Sequence, residues 1–189
     1  MTLTKFTILI LLNIFFLTCK GQKRDLIKVI EGKGIVFNND SIILYKTSVR
    51  ETCKILGIKD QSNSDIIILS MWDGFDPETL ESTSGSEWVQ EIKYKNAILE
   101  FASEKSEDSL RLRCISLRED STQAIYSSKG LEMGELNPNI VKHYPIRHKQ
   151  DYISENKQAY NLYHYGVSFQ LELLDNGNLK LIEISTYGN

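Results

Sequence analysis

The chain has 189 residues, of which 22 are basic and 25 acidic, and its formal net charge at pH 7 is −3. This balance excludes the electrostatic signature of a nucleic-acid-binding protein, which normally carries a basic domain or stripe. With only 3 prolines and no low-complexity tract, the composition predicts one folded domain, or two small ones.

The chain begins with a short apolar segment. Lys5 precedes the run Phe6–Leu17, which only two polar residues interrupt. A membrane-spanning helix needs about 20 apolar residues, so this run is too short to cross a bilayer. A basic start followed by a short apolar stretch is typical of the core of a secretory signal.

Cys19 follows this run directly, and the segment resembles a bacterial lipoprotein signal. Phe16 and Thr18 depart from the residues commonest in such signals. The resemblance implies that residues 1–18 are removed and that Cys19 is acylated. It also implies anchoring to an envelope membrane, with the protein facing the periplasm or the exterior. A cleaved signal without lipid, or an uncleaved anchor, stays an alternative.

Residues 20–25, directly after Cys19, are polar, and a tether is predicted over residues 19–33. Loss of residues 1–18 removes one basic residue, Lys5, which leaves 21 basic against 25 acidic residues and a net charge of −4. The membrane is therefore the expected first partner, through the lipid at Cys19, and nucleic acid is not expected.

The first predicted elements are a hairpin and a helix. Gly34–Phe37 and Ser41–Tyr45 are β-prone, and the polar residues 38–40 between them predict a turn. Ser48 and Glu51 have capping-box spacing. Val49, Cys53 and Leu56 follow at helical spacing, and Gly57 is a favourable left-handed stop.

The middle of the chain reads mainly as strands. Asp65–Trp72 predicts a buried strand because it is rich in isoleucine, and Asp73–Gly85 predicts a turn-rich loop. Further strands are expected at Trp88–Tyr94, Ala97–Phe101 and Leu110–Leu117.

The C-terminal part predicts a helix and a hairpin. Leu136, Ile140 and Tyr144 form an apolar stripe at helical spacing. The hairpin joins Val167–Leu174 to Leu179–Ser185, and Asn176-Gly177 favours a type I′ turn. A two-residue loop there would pair Leu171 with Ile182, Phe169 with Ile184 and Gln170 with Glu183.

The order of these elements suggests an α+β fold, with short helices on an antiparallel sheet, made of two tandem repeats. The predicted units are residues 34–102 and 103–189. Trp72-Asp73-Gly74-Phe75 parallels Tyr165-Gly166-Val167, and Glu91-Ile92 parallels Glu183-Ile184.

This pattern resembles two groups of small envelope proteins: the outer-membrane-assembly accessory lipoproteins and the β-lactamase-inhibitor-like repeats. Thr47-Ser48-Val49, the helix end Ile55-Leu56-Gly57 and Tyr144-Pro145 carry the resemblance, whereas Ile58 stands where a proline is common. The resemblance implies a sheet face that binds protein, and it transfers no catalytic residue.

Candidate chemical sites are weak. His143, His148, His164 and Asp151 lack the spacing of zinc ligands. The acidic residues Asp73, Asp76 and Glu78 match no calcium loop and are typical of turns. Cys53 and Cys114 are expected to be buried thiols, with Cys114 on the same strand face as Leu112; a disulfide between them is the alternative. We predict no metal, cofactor or catalytic residue.

The sequence therefore predicts a membrane-tethered, non-catalytic interaction module of the cell envelope. Its binding surface would be a sheet face or the loop after Trp72, with Trp72, Asp73, Phe75 and Asp76 as candidate contacts. Two alternatives stay open: a small envelope hydrolase that uses carboxylate or histidine chemistry, and an immunity-type inhibitor protein.

Overall fold

The computed structural model describes residues 25–62, 65–75, 82–145 and 149–188. Cys19, Asp76 and His148 lie outside these residues, as does the predicted signal peptide.

Within the described residues the chain forms twelve β-strands and two short α-helices. The strands are β1 (Asp25–Ile30), β2 (Gly34–Phe37), β3 (Asp40–Ile43), β4 (Ile67–Phe75), β5 (Ser82–Tyr94), β6 (Ala97–Ser103), β7 (Arg111–Arg118), β8 (Gln123–Ser127), β9 (Lys149–Ser154), β10 (Lys157–Leu162), β11 (Val167–Leu173) and β12 (Leu179–Tyr187). The helices are α1 (Val49–Leu56) and α2 (Ile140–His143).

The smaller sheet has four strands in the order β3-β2-β1-β8. β1 pairs with β2 antiparallel and with β8 parallel. Ile27 and Val29 point inward and are 1% and 0% exposed, whereas Leu26 and Lys28 point outward. This alternation is that of a half-buried strand. The folded part therefore includes residues that the sequence assigned to the tether over 19–33.

The larger sheet has eight strands in the order β4-β5-β6-β7-β12-β11-β10-β9, and every neighbouring pair is antiparallel. It consists of two four-stranded meanders, β4–β7 and β9–β12. Their last strands, β7 and β12, pair with each other at the centre of the sheet.

The two sheets pack face to face over one hydrophobic core. The ring of Phe37 on β2 meets that of Tyr94 on β5 edge-on, with centroids 5.7 Å apart. Ile27 of the smaller sheet and Leu99 and Phe169 of the larger one belong to the same buried cluster. The inward alternate residues of both sheets therefore share one interior, as in a β-sandwich.

Helix α1 forms as predicted. The Ser48 side chain accepts from the Glu51 amide, the Glu51 side chain accepts from the Ser48 amide, and Gly57 ends the helix with φ 67° and ψ 30°. Val49, Cys53 and Leu56 are buried, so the apolar stripe faces the core. The second helix is only one turn long, and Leu136 from its predicted stripe is 53% exposed.

The secondary structure is mostly β-sheet with a few short helices. This content is compatible with the predicted α+β class and equally with a mostly-β class. The predicted boundary between residues 102 and 103 falls within β6. Strand pairing also crosses it, because β8 completes the sheet of β1–β3 and β7 pairs with β6.

Strand β4 differs from its prediction. It covers Ile67–Phe75 and lies at the edge of the sheet, where β5 is its one neighbour among the described residues. Ile67, Ile68 and Leu69 are 60%, 62% and 45% exposed, so the prediction of a buried strand is wrong. The apolar run indicated a strand correctly, but composition does not reveal how many neighbours a strand has.

The described part of the predicted loop Asp73–Gly85 is strand rather than loop. Asp73–Phe75 continue β4 and Ser82–Gly85 begin β5, with Trp72 paired to Ser84 and Phe75 to Ser82. The Asp-Gly pair that suggested a turn lies at the register shift between Trp72 and Phe75. Glycine inside a strand often marks such an irregularity.

The C-terminal hairpin is present, with one difference in register. Phe169 pairs with Ile184 and Gln170 with Glu183 as predicted, but Leu171 pairs with Leu181 rather than Ile182. The Leu174 amide donates to the Asn178 carbonyl, and Gly177 has φ 81°. The turn thus holds three residues instead of two, and a bulge on β12 absorbs the difference.

Candidate functional site: the polar face of the larger sheet

The face of the eight-stranded sheet that points away from the core carries charged and hydroxyl side chains. Strand register places them in rows: Glu91, Glu100, Cys114 and Tyr187 form one, and Ser116 and Ser185 belong to the next. We call this surface the polar face. It comprises Glu87, Glu91, Glu100, Arg113, Cys114, Ser116, Arg118, Glu183, Ser185 and Tyr187.

Arg113 organises one half of the polar face. Its Nε atom donates to Glu100 Oε1 at 2.8 Å, and its Nη1 atom donates to Glu87 Oε1 at 2.5 Å. Glu87 is only 6% exposed. Burial lowers the pKa of the Arg113 guanidinium, but the hydrogen bonds to Glu87 and Glu100 outweigh it and the net shift is upward. Two carboxylates therefore hold one permanently charged arginine in a fixed position.

Arg118 begins a second chain of polar contacts. Its Nε atom donates to Glu183 Oε2 at 3.0 Å, and the Ser185 hydroxyl donates to Glu183 Oε1 at 3.0 Å. The Ser116 and Ser185 hydroxyl oxygens are 2.8 Å apart. Because Ser185 donates to the carboxylate, Ser116 donates to Ser185. The Arg118 side chain stays 64% exposed, which leaves donors available to a ligand.

Cys114 lies between these two groups. A register shift on β7 pairs Glu100 with Cys114 and Phe101 with Leu112, so Arg113 is an extra residue. The shift turns Cys114 to the face opposite Leu112, and the prediction that both share a face is wrong. Burial and the nearby Glu100 charge raise the pKa of the Cys114 thiol. This keeps it protonated at neutral pH, unlike a catalytic thiolate. Cys53 and Cys114 are both free thiols.

An open groove adjoins the Arg113 end of the polar face. It has a volume of about 610 Å³, and Tyr45, Glu87, Ser103 and Arg113 are among its lining residues. Tyr45 is 57% exposed with φ 59°. Its amide donates to the Leu112 carbonyl at 2.6 Å, which fixes the backbone beside β7. A tyrosine next to an arginine is a combination enriched at protein interfaces.

The residues predicted as contacts lie elsewhere. Trp72, Asp73 and Phe75 belong to edge strand β4, three strands from β7, and Asp76 lies outside the described residues. Sequence reasoning missed Arg113, Arg118 and Glu183. No local pattern marked them, because simple alternation from Leu112 places Arg118 toward the core, and only the register shift at Arg113 brings both arginines to one face.

The histidines that the structure describes do not converge. His143 Nδ1 lies 2.7 Å from the Lys129 carbonyl, and His164 stacks on Tyr165 with ring centroids 4.7 Å apart. Among the described residues no three His, Cys, Asp or Glu side chains are placed to share a metal ion. Neither described helix is long or apolar enough to span a bilayer.

Comparison with known proteins assigns the chain to no family. No protein-family model matches the chain, and no curated protein or solved structure is detectably similar to it.

Proposed function

We propose that the protein is a lipid-anchored, non-catalytic binding module of the cell envelope, and that it binds a protein partner through the polar face. The single observation that carries the proposal is the Arg113–Glu87–Glu100 cluster, which shares one sheet face with the exposed Arg118. Charges that are already positioned give specificity without an ordering cost at the moment of binding. The envelope location rests on the lipoprotein-like signal before Cys19.

The arrangement of carboxylates favours binding over hydrolysis. Glu87, Glu100 and Glu183 each accept a hydrogen bond from an arginine. A general acid must instead hold a proton that it can give to the substrate. These carboxylates are therefore suited to fix arginines for recognition. An immunity-type inhibitor is a special case of the same proposal, in which the captured protein is a toxin.

We also propose that the larger sheet arose by duplication of a helix-plus-meander unit. α1 precedes β4–β7, and α2 precedes β9–β12, in the same order. The short matches that first suggested a repeat are not equivalent in this scheme, because Ile92 lies in the second strand of its meander and Ile184 in the fourth. The proposal predicts that the backbone of residues 49–118 superposes on that of residues 140–187 through a two-fold rotation.

Affinity capture with matched arginine variants tests the binding proposal. The full acylated chain would be captured from its own membrane as wild type, Arg118→Glu and Arg50→Glu. Both arginines are exposed, at 64% and 76% of the side chain, and each pairs with one carboxylate. We expect Arg118→Glu to reduce recovery of the partner by at least about tenfold, and Arg50→Glu, on α1, to leave it unchanged.

A second pair of variants separates the polar face from the segment predicted by sequence. Trp72→Ala with Phe75→Ala alters strand β4 and leaves the polar face intact. Partner recovery that is lost in this variant and kept in Arg118→Glu would overturn the polar-face proposal in favour of β4. Recovery that is equal in all variants would contradict both surfaces.

A further inference from the structure

The outward face of the four-stranded sheet is apolar at its centre and basic around it. Register places Leu26, Lys28 and Ile30 of β1 beside Val36 of β2, with Ser41 and Ile43 of β3 next to them. We call these six residues the basal face. Leu26 is 49% and Ile43 is 38% exposed. Ile30, Val36, Ser41 and Ile43 line an open groove of about 520 Å³, together with Lys33 and Lys46.

The short stretch of chain between Cys19 and β1 limits how far the basal face can lie from the membrane. Cys19 lies six residues before Asp25, where β1 begins. Even a fully extended segment of that length reaches only about 20 Å, at about 3.6 Å per residue. A lipid at Cys19 therefore keeps β1 close to the bilayer surface. Lys20, Lys23 and Arg24 belong to this segment and give it positive charge.

The charges on and around the basal face complement an anionic lipid surface. Lys28, Lys33 and Lys46 are the lysines on it or at its rim. Two neighbouring carboxylates are engaged elsewhere: Asp25 pairs with Lys95, and Glu31 accepts from Ser128 and Tyr144. Two exposed carboxylates also lie near this face: Asp40 at the β2–β3 turn, and Glu132, which accepts from the hydroxyl of Tyr126, the β8 partner of Lys28.

We propose that the basal face docks on the anionic phospholipid surface of the membrane that anchors the chain. Leu26 and Ile43 enter the headgroup boundary while the surrounding lysines meet lipid phosphates. Because the two sheets pack face to face, docking turns the polar face away from the membrane, toward a partner. The inference rests on the proposed lipid anchor and adds an orientation to it.

Lysine labelling on vesicles tests the orientation. The full acylated chain would be placed in vesicles of phosphatidylcholine with phosphatidylglycerol, in phosphatidylcholine alone, and in detergent. A water-soluble amine reagent and peptide mass spectrometry give the labelling rate of each lysine. We expect Lys28 to react at least about fivefold more slowly on anionic vesicles than in detergent. Lys93, an exposed strand lysine on the opposite side of the sandwich, should react equally in all three.

Two charge-reversal variants, one on the basal face and one on the opposite side of the sandwich, form a matched pair. Lys28→Glu should restore fast labelling of Lys33 and Lys46 on anionic vesicles, whereas Lys93→Glu should leave their protection unchanged. Protection should also fall as salt is raised, because lysine–headgroup attraction is screened.

The outcomes separate docking from anchoring. If the chain floats with vesicles but Lys28 reacts as fast as Lys93, the anchor stands and docking is overturned. If the wild-type chain does not float, both are overturned. If Lys28 becomes protected without vesicles as protein concentration rises, a second copy covers the face, and lipid docking is overturned.

Discussion

Tyr144 shows how one buried hydroxyl links distant parts of the chain. Its hydroxyl donates to Glu31 at the end of β1, and Glu31 also accepts from Ser128. The Tyr144 ring is 0% exposed and packs against Tyr165 and Phe169, with centroids 5.2 and 5.1 Å away. The short helix α2 is thereby fixed to both sheets.

We expect Tyr144→Phe to destabilise the protein by about 1–2 kcal/mol near neutral pH, because Glu31 loses a donor. Burial, and the hydrogen bond to Glu31, raise the pKa of Tyr144 strongly. Above about pH 10 the unfolded tyrosine ionises while the folded one does not. The wild type therefore loses stability there, and its advantage over Tyr144→Phe should shrink by up to about 1.4 kcal/mol per pH unit.

Urea unfolding on both sides of pH 10 measures this difference. Tyr163→Phe is the matched control, because Tyr163 is 65% exposed. Curves for wild type and Tyr144→Phe that stay parallel through the alkaline range would contradict the assigned role of burial.

Cys114 marks the limit of sequence reasoning at the residue scale. Simple alternation from Leu112 places Cys114 toward the core, and only the bulge at Arg113 reverses it. A bulge depends on the partner strand, and the local sequence does not identify that partner. The polar face could not be predicted for the same reason, since its two arginines point to one side only after this shift.

At the element scale, features with local causes were predictable. Helix α1 follows from Ser48, Glu51 and Gly57, because both of its caps are made within the segment itself. Strand β4 was found as a strand, but its exposure at the sheet edge depends on neighbours far along the chain. The C-terminal turn lies between these cases: two pairs were right, and the bulge changed the third.

Two hairpin glycines with positive φ are expected to differ in how much stability is lost when each is replaced by alanine. Gly34 on β2 has φ 135°, and a Cβ there would lie 2.0 Å from the Ile42 carbonyl oxygen. Gly177 has φ 81° with nothing within 4 Å of the added atom. We expect Gly34→Ala to cost about 2–4 kcal/mol, from strain and a backbone clash, and Gly177→Ala about 1 kcal/mol, from strain alone.

Urea midpoints at unchanged slope measure both changes. Equal losses in the two variants would show that the clash at Gly34 relaxes without cost.

For the whole molecule, the exposed edge of the larger sheet predicts self-association. Ile67, Ile68 and Leu69 lie on a strand whose second side has no neighbour among the described residues. Such an edge is a template for pairing with another chain. We expect Ile68→Lys to lower concentration-dependent light scattering and to change stability by less than about 0.5 kcal/mol. Leu173→Lys, at another exposed position, is the control.

The strand order of the whole molecule was beyond prediction. The sequence indicated many antiparallel strands, but not that β8 would join β1, nor that β7 and β12 would meet. Both pairings join segments that are separated by tens of residues. Local composition carries no information about which distant segments pair, whereas a hairpin is specified by its own turn.

The meeting of β7 and β12 has a consequence for how the fold is reached. A chain that emerges with its N-terminal part first exposes the open side of β7 until residues 179–187 arrive to cover it. Pairings this distant slow the search for the native state and lengthen the time during which unpaired backbone can be captured by other chains. Chaperones that hold an unfolded chain would therefore be needed most in the interval between the two meanders.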